Sequence, residues 1–292
     1  MINNFSGSGV ALVTPFNKDK TVDFDSLKKF ITFHIDEGTD FLVVQGTTGE
    51  SPVLSENEKK AVLSTIIEVN NGQLPIVYGV GGNNTYEVAK KISAVGHGVD
   101  GILSVSPYYN KPTQQGIYEH YRCLSEHTDL PIILYNVPGR TSSNISSETT
   151  LRLSELNNIV AIKEASGNLE QIMDILRNKD KEFNVISGDD ALTYPMMTLG
   201  AVGVISVVAN AFPRLFKKMI EHLNHGDYLT AKKIHYDLIP ITKMFFQEGN
   251  PAGVKAALSE FGLMTDNLRL PLINISEHLK IEIVKEIKRI HH

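Results

Sequence analysis

Eight short apolar runs alternate with segments of helical period, and this alternation constrains the fold more than any other feature of the chain. The runs are GVALVTP (Gly9–Pro15), FLVVQG (Phe41–Gly46), PIVYGVG (Pro75–Gly81), DGILSVSP (Asp100–Pro107), PIILYNVP (Pro131–Pro138), NIVAIKEA (Asn158–Ala165), FNVISGDD (Phe183–Asp190) and VGVISVVAN (Val202–Asn210). Their apolar residues are continuous rather than strictly alternating, as in parallel strands covered on both faces. Between them, Leu27, Phe30, Ile31, His34 and Ile35 recur at helical spacing, with Gly38 placed to end the helix. Ser55 and Glu58 form a capping box for the next helix. In GNLEQIMDILRNK, Leu169, Ile172, Met173 and Leu176 form one predicted stripe. Strand starts roughly 20 to 35 residues apart give eight βα units, the number that closes a barrel rather than leaving an open doubly wound sheet. The strand signals stop near His225 and three helical segments follow. The expected class is therefore α/β: a (β/α)8 TIM barrel over residues 1–224 with an appended C-terminal helical region over residues 225–292.

Composition narrows the function. The chain has 292 residues, 42% apolar and 21% charged, with a formal net charge of −5. That balance offers no basic surface for nucleic acid or an anionic membrane. The single cysteine, Cys123, cannot form an intrachain disulfide, which suits a reducing cytoplasm. MINNFSGSGVALVTPF lacks the pattern of a secretory leader, and no apolar stretch is long enough to span a bilayer.

In such a barrel, reactive groups belong at the C-terminal ends of strands and in the loops that follow. That filter selects Thr14, Thr47, Thr48, Tyr108, Tyr109, Tyr135, Arg140, Lys163 and the stretch from Ser187 to Asp190. Lys163 lies inside an apolar run. Alternation places Ala161, Lys163 and Ala165 on one face, with Ile162 and Glu164 on the other. A desolvated amine sheds its proton more readily, and the neutral form attacks carbonyls to give Schiff bases. The structural alternative is a lysine that ends a strand and pairs with a carboxylate. Tyr135, one strand earlier, can exchange protons at such a site, or can be a half-buried tyrosine with a satisfied hydroxyl. Arg140 can grip a carboxylate in bidentate fashion or sit on the surface. In GTTG, two glycines permit a sharp turn and two hydroxyls stand beside its amides, a nest for a small carboxylate or a locally capped turn. GVGGNN lacks the last glycine of a dinucleotide fingerprint. Asp189 and Asp190 suit a divalent ion, as in a metal-dependent aldolase, or equally a helix start. His222 and His225 read as surface histidines at a helix end rather than a metal site.

GTTGES, SPYYNKPT, YNVPGRT, IKEASGN, SGDD and GVISVVAN occur in the order found in the dihydrodipicolinate synthase family, and the chain resembles it from GVALVTPF to LRLPL. The resemblance implies a barrel, a homotetramer built as a dimer of tight dimers, and condensation of pyruvate with L-aspartate 4-semialdehyde without a metal or organic cofactor. It implies that Lys163 forms the imine and that Tyr135 is the central proton carrier. Thr47 would link that tyrosine to Tyr109, which reaches into a neighbouring subunit. Thr48 would hold the pyruvate carboxylate, Arg140 the semialdehyde carboxylate, and Gly188 and Ile205 would line the pyruvate pocket. Related barrels, the N-acetylneuraminate lyases and keto-deoxy sugar acid aldolases, use the same imine with other aldehydes; Arg140 favours the synthase. Ser51, Asn83, Glu87 and Tyr108 match a lysine-binding allosteric site at which lysine-sensitive enteric members carry two histidines. This chain has Glu56 and Lys59 there, and Pro52 in place of a small alanine. Feedback by lysine is accordingly expected to be weak or absent.

Overall fold

The computed structural model describes residues 5–291; residues 1–4, which open the stretch read above for a leader, and residue 292 lie outside it. Strands β1 (Gly7–Ala11), β2 (Phe41–Val44), β3 (Ile76–Gly79), β4 (Gly101–Val105), β5 (Ile132–Asn136), β6 (Ile159–Glu164), β7 (Asn184–Ser187) and β8 (Gly203–Ser206) follow one another in chain order as a closed barrel. The resolved ladders are parallel, including β4 with β5, β5 with β6 and β6 with β7. Seven of the eight strands fall inside the predicted runs. The exception, β1, starts two residues early and stops at Ala11. Beyond that point the Asn210 side chain takes over, donating to the Ala11 carbonyl at 2.8 Å and accepting from the Val13 amide at 3.1 Å.

Helices α1 (Phe24–Asp36), α2 (Glu56–Asn70), α3 (Thr85–Ser93), α4 (Gln114–Ser125), α5 (Pro138–Thr141), α6 (Ser147–Ser154), α7 (Leu169–Asn178), α8 (Thr193–Thr198) and α9 (Pro213–Asn224) lie between or after the strands. Local chemistry sets their ends. Asp23 caps α1, which buries Leu27, Phe30, Ile31 and His34, and Gly38 follows it in the left-handed conformation. The capping box at Ser55 and Glu58 opens α2 with both reciprocal bonds made. The predicted stripe on α7 needs correction: Ile172 and Ile175 face the core, Leu176 is half-buried and Met173 is exposed. The C-terminal helical region comprises α10 (Tyr228–Gln247), α11 (Ala252–Glu260) and α12 (Glu277–His291). Among the described residues, no helix is long and apolar enough to cross a membrane.

Two compact units make up the chain. One comprises Pro75–Ile205 with the chain up to Gly7; the other comprises Ser8–Leu74 with Ser206 onward. The first contains the strands that carry Lys163 and Tyr135. The second contains the Gly-Thr-Thr turn and the C-terminal helices.

Candidate active site

In the first unit, the β5–β6 register sets Tyr135 beside Lys163 and Asn136 beside Glu164. Register partners share a face of the sheet, so the phenol and the amine lie together while the two amide and carboxylate side chains lie on the other side. Lys163 is 6% exposed and Tyr135 7% exposed. The Lys163 Nζ stands 4.3 Å from the centre of the Tyr135 ring. Among the described residues it makes no hydrogen bond or ion pair. The alternative of a lysine tied to a carboxylate is therefore not the one observed.

Gly188, in the loop after β7, is shaped by the same amine. A Cβ there would stand 3.0 Å from Lys163 Cε and Cγ and 2.8 Å from the Ala165 Cβ. Only glycine leaves the lysine stem its channel. Ile205, on β8, is buried.

Glu164 faces away, as alternation requires. It is fully buried and accepts from Asn136 Nδ2 at 3.1 and 3.2 Å, from the Ser166 amide at 2.9 Å and from Gln171 Nε2 at 3.2 Å. Burial raises its carboxyl pKa, against the pull of these donors. Asn136 also accepts from the Ile145 amide at 3.0 Å and donates to Asn144 Oδ1 at 2.9 Å. The segment after β5 is thereby pinned at its far end, and Arg140 projects exposed from the short helix α5 within it. Sequence reasoning did not identify this anchor; polar residues at a strand end followed by NVPGRTSSN give no periodic signal.

Tyr109 is 87% exposed and has φ of 74°, a left-handed conformation unusual for a bulky side chain. Tyr108 is 41% exposed and accepts at its carbonyl from Asn83 Nδ2 at 3.1 Å. Glu87 lies in the first turn of α3. Asp189 uses its carboxylate to accept from the Ala191 amide at 3.0 Å, the helix-start role weighed above.

In the second unit, Thr47–Gly49 form a single 3-10 turn after β2. Thr47 is exposed and Thr48 is 3% exposed. Their amides open the turn and so have no acceptor within it. Thr14, selected by the barrel filter, donates its hydroxyl to the Gly49 carbonyl at 2.7 Å and supports the turn from beneath. Thr48 Oγ1 accepts from Asn250 Nδ2 at 3.0 Å. Glu50 closes the turn in the left-handed conformation, and its buried carboxylate pairs with Lys255 Nζ at 2.5 Å. Asn250 and Lys255 were absent from the sequence reading. Ser51 follows in a second 3-10 turn, and Glu56 pairs with Lys59 at 3.1 Å on the surface of α2.

His222 Nδ1 lies 3.0 Å from Asp227 Oδ2, and His225 Nδ1 lies 2.7 Å from the Glu221 carbonyl. Both histidines are thus engaged at the end of α9, as expected for a helix terminus.

A buried amine against a phenol ring, on adjacent barrel strands, is an arrangement capable of carbonyl chemistry. Known proteins resemble this chain along nearly its whole length. The family model described as "Dihydrodipicolinate synthetase family" matches residues 4–290. The 4-hydroxy-tetrahydrodipicolinate synthase of Parabacteroides distasonis is 52% identical over 272 residues, 92% of each chain. The crystal structure of dihydrodipicolinate synthase from Aquifex aeolicus superposes with a TM-score of 0.95 at 42% identity, covering 98% of both chains. The chloride-inhibited enzyme of Acinetobacter baumannii, crystallised with pyruvate, gives a TM-score of 0.96 at 40% identity over 99% of both. The chain belongs to the dihydrodipicolinate synthetase family.

Proposed function

We propose that this protein is a lyase of the carbon–oxygen, hydro-lyase class that condenses pyruvate with L-aspartate 4-semialdehyde to give 4-hydroxy-tetrahydrodipicolinate, on the path to diaminopimelate and lysine. The observation that carries the reading is Lys163: buried, against the Tyr135 ring, with no carboxylate paired to it among the described residues. Relatives named for this activity, and one relative crystallised with pyruvate, support it.

In this reading Lys163 Nζ attacks the keto carbon of pyruvate, and loss of water leaves a protonated imine. A methyl proton then leaves, the imine nitrogen takes up the electron pair, and the resulting enamine carbon attacks the aldehyde. Transimination frees the lysine and releases the cyclic product. Tyr135 carries the protons, with Thr47 and the Tyr109 of a second copy completing the relay. Thr48 holds the pyruvate carboxylate, Arg140 the semialdehyde carboxylate, and Gly188 and Ile205 line the keto-acid pocket. Residues 1–224 are the catalytic barrel and residues 225–292 its helical support. The assembly is a cytoplasmic homotetramer, in which dilution to monomers abolishes the Tyr109 contribution.

The test is reduction with borohydride in the presence of pyruvate, followed by mass spectrometry. An adduct on Lys163 is expected; an adduct on another residue, or none, overturns the reading. A panel of aldehyde acceptors then identifies the second substrate, with L-aspartate 4-semialdehyde expected to be preferred. At the surface set of Ser51, Glu56, Lys59, Asn83, Glu87 and Tyr108, the Glu56–Lys59 pair replaces the enteric histidines, so lysine should inhibit weakly or not at all. Inhibition at low-micromolar lysine in a steady-state assay would refute that part.

A further inference from the structure

The Gly-Thr-Thr turn is short and lies between two left-handed residues, Gln45 at φ 61° and Glu50 at φ 53°. Non-glycine residues hold that conformation only where their surroundings impose it. For Glu50 the constraint comes from residues about two hundred positions further along the same unit. Lys255 on α11 is completely buried and gives its ammonium to Glu50 Oε1, while also donating to the Asn267 carbonyl at 2.9 Å. The Arg269 amide donates to Glu50 Oε2 at 3.2 Å, so both carboxylate oxygens are held. The Lys255 ammonium and the Arg269 guanidinium lie 4.3 and 4.5 Å from the centre of the Phe16 ring, and Arg269 also pairs with Glu58 of the α2 capping box. Ahead of Glu50, the Asn250 amide donates to the Thr48 hydroxyl oxygen. A hydroxyl whose oxygen already accepts is left with its own proton to give.

We propose that Asn250 and Lys255 are positioning residues for the keto-acid carboxylate: Asn250 leaves the Thr48 hydroxyl as a donor, and Lys255 locks the turn through Glu50. The inference rests on the assignment of Thr48 to that carboxylate and deepens it. It also gives the C-terminal helical region a role in substrate recognition. Neither side chain is assigned a contact with substrate.

The test is imine formation on Lys163 as a function of pyruvate concentration, trapped by borohydride and read by mass spectrometry in the full-length protein. Half-saturation is an intensive quantity, so it reports on the folded fraction even where a variant expresses poorly. Asn250→Ala is expected to raise half-saturation about tenfold, as for loss of support to a charge-assisted bond, with adduct yield at saturation and kcat within about threefold of the parent. Asn250→Asp, of the same size, should be worse, at about a hundredfold, because its carboxylate accepts the hydrogen bond that the Thr48 hydroxyl would otherwise donate and repels the substrate anion. A merely structural role leaves half-saturation unchanged in both variants and shows only as a lower folded yield, more so for Asp, whose carboxylate is buried without a countercharge. Lys255→Met should match Asn250→Ala. Half-saturation within about twofold of the parent in both Asn250 variants, or a milder effect for Asp than for Ala, overturns the proposal and leaves the Lys163 chemistry standing. Absence of any Lys163 adduct in the parent protein overturns the proposed function and this inference with it.

Discussion

Among the described residues two lysines are buried, Lys163 and Lys255, one in each compact unit, and their surroundings have little in common. Lys163 lies beside a phenol ring, its stem in a channel that only a glycine leaves open, with no ion pair among the described residues. Lys255 is held by a buried carboxylate, a carbonyl and the face of Phe16. Burial pulls the Lys255 pKa down to about 8 even though Glu50 pulls it up. The contrast teaches that burial alone does not make a nucleophile. An amine whose donors are all engaged is a structural cation. An amine facing a ring and a small cleft remains available to a carbonyl carbon.

The largest effect that can break the contrast is catalytic. Under the proposed function, Lys163→Arg keeps a long basic side chain but removes the amine proposed as nucleophile, and kcat should fall on the order of 10⁴-fold or more, with no pyruvate adduct. Circular dichroism should show the parent fold. Residual turnover within about tenfold of the parent would move the chemistry elsewhere.

Stability should invert the ranking. Lys255→Met leaves Glu50 buried without its countercharge and should cost about 3–5 kcal/mol in denaturant unfolding. Lys163→Met strands no carboxylate, so its stability should change by less than about 1 kcal/mol, or improve. Combining Glu50→Gln with Lys255→Met should recover much of the loss, because the stranded charge goes with its partner. Equal costs for the two single methionine variants would show that the lysines are held in the same way.

The two lysines also differ in how legible they were in the sequence. Lys163 and Tyr135 end consecutive apolar runs, and parallel strands in register bring such ends side by side; the observed β5–β6 pairing does so. The capping box of α2 was equally readable, because its partners are three residues apart. Lys255 meets Glu50, and Asn250 meets Thr48, across more than two hundred residues, and neither carries a periodic or motif signal. The early end of β1 at Ala11 has the same origin, in the distant Asn210. On α7 the stripe was drawn from apolar identity alone; Met173 fits the helical period and still faces outward. What local pattern encodes was legible, and what long-range polar pairing encodes was not.

The smallest effect concerns two further buried bases that share with Lys163 the lack of a carboxylate partner. His34 and His120 each meet a threonine hydroxyl at 2.9 Å through Nδ1, and each has a buried Nε2 with no hydrogen-bond partner. Burial lowers their pKa values from 6.5 to about 3 and about 4. Both folded values lie below the unfolded one, so on acidification the unfolded chain takes up protons that the folded chain refuses. Their contribution to stability is complete above about 6.5 and is lost as pH falls towards 4 for His120 and 3 for His34, at about 1.4 kcal/mol per pH unit for each. Glu164, whose pKa burial raises, acts in the opposite sense, gaining stability as pH falls through its folded value. Unfolding midpoints measured between pH 6.5 and 5 should therefore fall with acid, and His120→Gln should remove about half of that slope. A flat profile would mean that these imidazoles protonate without unfolding. An uncompensated buried base would then tolerate charge in this protein, and the lack of a carboxylate partner would no longer separate such a base from a paired one such as Lys255.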